Sequence, residues 1–155
     1  MRAKAVRAMP TRNTTIVRQW VDEAWNHGKV DVAKQVFAPT CVEYGITDGL
    51  AEITGIEAQK NKIRALRIAF PDLHLTIEDT ISEGEKVTVR WVAGGTQKGE
   101  WMGLAPTGKY VTWGGVSVFR FVDGKIQELW RAEAIFGQWQ QLGAIGMQRQ
   151  VNGHR

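Results

Sequence analysis

The chain has 155 residues and a mass of 17.3 kDa, of which 43% are hydrophobic and 23% charged; this suits one globular domain and excludes a disordered chain. One cysteine, Cys41, and three scattered histidines (His27, His74, His154) leave no intrachain disulfide and no metal-ligand spacing, and no apolar run approaches the roughly 18–20 residues of a bilayer-spanning helix. The net charge of +4 gathers at the ends, in Arg2, Lys4, Arg7, Arg12, Arg149 and Arg155, without the basic stripe that follows phosphates, so neither nucleic acid nor membrane is expected as a partner.

The first ten residues lack the apolar centre of a signal peptide, which makes cytoplasmic placement the expectation. Residues 1–12 read as a flexible basic N-terminus, 13–146 as a single domain and 147–155 as a tail. Ile16, Val17, Trp20, Val21 and Ala24 form one apolar stripe, which predicts a helix over 13–26 with Asn13 as N-cap and Gly28 as its stop. A short helix follows from Asp31 through Val32, Val36 and Phe37, ending before Pro39, and residues 40–45 read as a strand. A loop over 45–55 leads to Thr54-Gly-Ile-Glu57, the pattern of a capping box. Ile56, Ile63, Leu66 and Phe70 mark the face of the next helix, which Pro71 ends.

Beyond residue 72 the apolar period changes to two. Leu73, Leu75 and Ile77 define one strand, a turn follows at 83–86, and Val87, Val89 and Trp91 define the next. The glycine-rich stretch 94–108 reads as a bent hairpin. Strands are predicted over 111–121 and 126–136, joined by the Val122-Asp-Gly-Lys125 turn, with a final helical piece around Trp139, Leu142 and Ile145. Helices first and strands after predict an α+β fold with an antiparallel sheet.

The segments AFPDLHLTIED at 69–79, QKGEWMGLAPTG at 97–108 and FRFVDGKI at 119–126 together resemble the SnoaL-like polyketide cyclases, over roughly residues 13–143. The wider superfamily includes nuclear transport factor 2, ketosteroid isomerase and limonene epoxide hydrolase. The resemblance implies a cone-shaped α+β barrel, its N-terminal helices packed on a strongly curved antiparallel sheet around a hydrophobic pocket. It also implies a homodimer through the outer sheet face and intramolecular aldol ring closure by acid–base side chains, with no metal and no cofactor.

In such cyclases an aspartate lies four positions beyond a characteristic tryptophan on the last strand, and a histidine can sit two positions before that aspartate. With Trp130 as that tryptophan, the matching positions hold Ala132 and Ala134, and Glu133 has the opposite parity. A family histidine on the first strand corresponds to Tyr44, another to Gln97, and an acid of ketosteroid isomerases to Ser117. The usual acid–base groups are thus replaced. The catalytic candidates are Tyr44, Ser117 and Glu128, the last because it shares parity with Trp130 and would gain a raised pKa if buried. Trp20, Trp91, Trp113 and Trp130, with Ala132 and Ala134, are the candidates for lining an aromatic cavity.

The expected activity is that of a cofactor-independent cyclase, isomerase or hydrolase acting on a small hydrophobic, cyclic molecule. Two other readings stay open: a carrier with a purely apolar cavity, and a protein-binding module that uses the sheet face.

Overall fold

The computed structural model describes residues 11–45 and 51–145. The expected tail and all of the expected N-terminal segment except Thr11 and Arg12 lie outside these residues, as do positions 46–50 and 146 of the predicted domain.

Helix α1 spans Arg12–Gln19 and continues as a π-helical turn over Trp20–Asn26. Its N-cap is Thr11 rather than Asn13: the Thr11 hydroxyl accepts the Thr14 amide at 3.2 Å, and Arg12 is already helical. Gly28, at φ 71°, lies just past the helix end as the sequence suggests. A 3₁₀ turn over Val30–Val32 leads into the short α2, Ala33–Val36.

Strand β1, Phe37–Gly45, starts earlier than the pattern predicts and includes Pro39. The proline fits because the ladder to the neighbouring strand β6, Lys125–Glu133, shifts register between Phe37 and Val42, where no N–H is demanded. Residues Ala51–Thr54, read above as loop, form β2 and pair with β1. Thr54 therefore belongs to a strand, and the capping box does not form. Helix α3, Ile56–Ala69, has Gly55 at its N-cap with no side-chain cap, and Glu57 accepts from Lys60 at 3.1 Å instead.

The remaining strands are β3, His74–Glu83; β4, Lys86–Thr96; and β5, Tyr110–Val122. Asp123 (φ 50°) and Gly124 (φ 75°) supply the two left-handed residues of the tight hairpin joining β5 to β6. Strand β6 stops at Glu133, before the predicted end at 136. Ala134 (φ −81°, ψ 59°) precedes α4, Ile135–Leu142, so Phe136 is helical and exposed.

Among the described residues the sheet order is β2-β1-β6-β5-β4-β3. Four pairings are antiparallel, but β1 and β6 run parallel, so the sheet is mixed where an antiparallel one was expected. These two strands are distant in sequence and no hairpin dictates their direction. The sheet is curved and does not close. Its concave face receives Val17, Trp20 and Ala24 of α1 and Ile63, Leu66 and Phe70 from α3, packed against Leu75, Val87, Val89, Phe119 and Leu129. The architecture is the cone-shaped α+β fold that the resemblance implies.

Candidate functional site

Period two along β1 buries Cys41, Glu43 and Gly45, leaving Val42 and Tyr44 on the opposite face. On α3, Gln59 and Lys62 each lie four residues before an apolar position, Ile63 and Leu66, so both polar side chains turn toward the sheet. On β6, Leu129 and Arg131 face inward. Three elements thus carry charge into the interior.

The groups meet around Glu43, whose side chain is 0% exposed. Lys62 Nζ donates to Glu43 Oε2 at 2.7 Å and Gln59 Nε2 to the same oxygen at 2.9 Å. Arg131 Nη2 lies 3.1 Å from Glu43 Oε1, and Arg131 Nε lies 3.0 Å from Glu133 Oε1. Two cations balance two carboxylates, as burial of charge requires. Glu43 Oε1 and Arg131 Nη1 nevertheless have no aligned hydrogen-bond partner among the described residues.

Burial pushes the Glu43 carboxyl up, but Lys62 and Arg131 outweigh it and hold the group below the ordinary carboxylate range. For Lys62 burial dominates: despite the Glu43 anion, its pKa falls to about 8. The ammonium also lies 5.6 Å from the Trp25 ring centroid.

Lys62 and Arg131 reach a narrow cavity between α1, α3 and the sheet, partly open to solvent. Trp20, Val21 and Trp25 come from the π-helical turn, whose extra residue brings all three to one side. Trp91, Ser117, Phe119 and Leu129 form the sheet wall. Trp91 lies flat on β5 because residue 115 is glycine: a Cβ there would stand 2.5 Å from its ring. Its indole N–H donates to Ser117 Oγ at 3.0 Å.

Of the residues singled out from sequence, Trp20, Trp91 and Ser117 therefore line this cavity. Trp113 is buried elsewhere, its ring 5.3 Å from Phe70. Trp130 lies on the outer sheet face, stacked 5.7 Å from Tyr44, and Ala132 is exposed there. Glu128 also lies off the cavity. Arg120 Nε donates to it at 2.9 Å, a bond that lowers its pKa where burial had been expected to raise it. Ala134, past the strand end, is exposed. Glu133, assigned above to the opposite face, instead pairs with the cavity residue Arg131. Gln97 is buried and clamps the 97–109 connection: it accepts from the Thr107 amide and hydroxyl and donates to the Leu104 and Ala105 carbonyls.

The buried set of Glu43, Gln59, Lys62 and Arg131 escaped the sequence reading. Its signal lay in the same periodicities: Glu43 shares parity with Cys41, and positions 59 and 62 fall on the helix stripe. Among the described residues no group of three or more His, Cys, Asp or Glu side chains is placed to hold a metal ion. No helix among them is long and apolar enough to cross a membrane.

The family model described as SnoaL-like polyketide cyclase matches residues 15–142. No curated protein matches the chain in sequence. Among solved structures, AclR, a proposed hydroxylase from Streptomyces galilaeus, is 26% identical with a TM-score of 0.79, over 92% of this chain and 88% of its own. IdmH, a proposed polyketide cyclase from Streptomyces antibioticus, is 26% identical with a TM-score of 0.73, over 86% of this chain and 99% of its own. A ketosteroid isomerase-like fold from Catenulispora acidiphila, 20% identical with a TM-score of 0.67 over 83% and 92%, supports the fold.

Proposed function

The chain belongs to the SnoaL-like polyketide cyclase family, and from that premise we propose that it is a cofactor-independent enzyme of cyclase, isomerase or hydrolase type, working on a small hydrophobic, cyclic substrate. The observation that carries this reading is a lysine, Lys62, held by a buried carboxylate at the wall of an aromatic cavity, with a pKa of about 8. An acid or base is most effective when its pKa lies near the working pH. Below that value the Lys62 ammonium donates a proton or hydrogen bond to a substrate oxygen; above it the amine accepts one. Negative charge developing on that oxygen meets Arg131 on the other side of Glu43. Trp20, Trp25 and Trp91 supply flat apolar walls, and Ser117 adds a hydroxyl between Trp91 and the cavity.

The outer sheet face serves as the surface of a homodimer in this reading. Its support is the apolar strip of Val92 and Val116, 40% and 37% exposed, beside Ala132, Trp130 and Tyr44.

The test is a tryptophan-fluorescence and thermal-shift titration against steroids, aromatic polyketides and monoterpene epoxides at several pH values, with products followed by mass spectrometry. Saturable quenching and turnover with an inflection near pH 8, both steps intact in the wild type and turnover absent in Lys62→Met, are expected. Binding without turnover of any bound compound points to the carrier reading. Absence of binding across the panel removes the small-molecule reading and leaves the sheet face as the functional surface.

A further inference from the structure

We propose that Lys62 is also a covalent nucleophile, whose amine condenses with the carbonyl carbon of an apolar aldehyde or ketone in the cavity to give a protonated imine beside Glu43. The inference rests on the cavity being a small-molecule site, as proposed above.

Among the described residues Lys62 is the one primary amine lining that cavity. Its Nζ makes a single hydrogen bond among those residues, to Glu43 Oε2. An iminium nitrogen has one N–H, so the adduct keeps that bond, and the remaining bond to carbon points into the cavity. Charge is conserved as well. The ammonium and the iminium each carry one positive charge at the same atom, and the Glu43 carboxylate and the Trp25 face already accommodate it there. Burial leaves a larger fraction of free amine near neutral pH than an ordinary lysine has, the usual condition for an imine-forming lysine.

The step balances with solvent water as the proton carrier. The Lys62 ammonium loses a proton to water, and the freed amine attacks the carbonyl carbon. The C–N bond forms as the carbonyl π pair moves to oxygen, which gains a proton from the attacking nitrogen. Solvent returns one proton to the carbinolamine hydroxyl, which leaves as water while the nitrogen lone pair closes the C=N bond. Ammonium plus carbonyl becomes iminium plus water, and Glu43 stays a carboxylate beside the positive nitrogen throughout. The iminium acidifies the adjacent C–H, so the bound molecule becomes a carbon nucleophile of the enamine type.

The probe is 2-naphthaldehyde with sodium cyanoborohydride as reductant, the adduct being mapped by peptide mass spectrometry; 2-naphthylmethanol, which has no carbonyl, reports cavity binding by tryptophan quenching. The expected result is a secondary amine at Lys62, formed about tenfold or more faster than at exposed lysines at pH 7.5. Its rate should rise with a midpoint near pH 8, and 2-naphthylmethanol should compete with it. Lys62→Arg, which keeps the charge, should lose the adduct. Adducts spread over exposed lysines with Lys62 spared, while 2-naphthylmethanol still quenches, would overturn the covalent step and leave the cavity reading standing. Neither quenching nor a Lys62 adduct would overturn both. Mapping and competition in the wild type decide the matter even if a variant fails to fold.

Discussion

Glu43 holds the interior charges together, and its replacement separates their roles. In Glu43→Gln the anion that opposes desolvation of Lys62 is gone, so the lysine should release its proton at a lower pH still. The inflection in a pH–rate or pH–labelling profile should move acidward from about 8, and a profile that stays put would contradict the assigned coupling. The same substitution leaves Lys62 without its carboxylate and Arg131 with Glu133 alone. A loss of about 3 kcal/mol in a denaturant titration is expected, the scale for breaking a buried pair. Ser117 offers a milder test. Ser117→Ala strands the Trp91 indole N–H and should cost about 1–3 kcal/mol, most of it recovered in the Ser117→Ala/Trp91→Phe double variant.

These residues also show what a single sequence conceals. Trp130 and its neighbour Leu129 are both apolar, so hydrophobicity could not say which of them faces in, and choosing Trp130 turned Glu128, Ala132 and Glu133 to the wrong faces. On β1, Tyr44 drew attention by its resemblance to a family position, while buried Cys41 had already fixed the inward parity that includes Glu43.

At the level of elements, strands β3 to β6 and helix α3 were legible because alternation, the 3.6-residue stripe and the Asp-Gly turn agree with one another. The boundaries failed where backbone geometry overrode local pattern. Pro39 suggested a stop but sits in a register shift, and Thr54 looked like a cap but lies in β2. The π-helical turn of α1 left no mark in a pattern that reads equally well as α-helix. Strand β5 carries a sharper dependence. Gly115→Ala would drive a Cβ into the Trp91 ring and the Ala132 carbonyl oxygen, neither of which yields without moving the sheet. A destabilisation of about 1–3 kcal/mol is expected, together with weaker quenching by cavity ligands, measured in one fluorescence series.

For the molecule as a whole, stability should record the charge state of Lys62. The unfolded lysine keeps its proton to about pH 10.5, whereas the folded one releases it near 8. Between those values unfolding takes up a proton, so raising the pH favours the folded state; below 8 both forms are charged and the burial penalty is constant. The melting temperature of the wild type relative to Lys62→Arg should therefore climb from pH 8 to about 10. A flat difference would mean that Lys62 titrates normally. The proposed homodimer makes its own prediction: Val116→Asp, on the outer face away from the cavity, should shift a sedimentation profile from two chains to one while ligand quenching persists.

The parallel pairing of β1 with β6 sets Gly45 opposite Arg131, and Tyr44 opposite Trp130, across more than half the chain. On a ribosome, everything that places Lys62 beside Glu43 is made before β6 exists. Until the last strand is threaded against the first, the buried carboxylate has only one of its two cations and the cavity only part of its wall. Such distant closure is slow compared with hairpin formation. The charge cluster around Lys62 is thus completed only when the last strand meets the first.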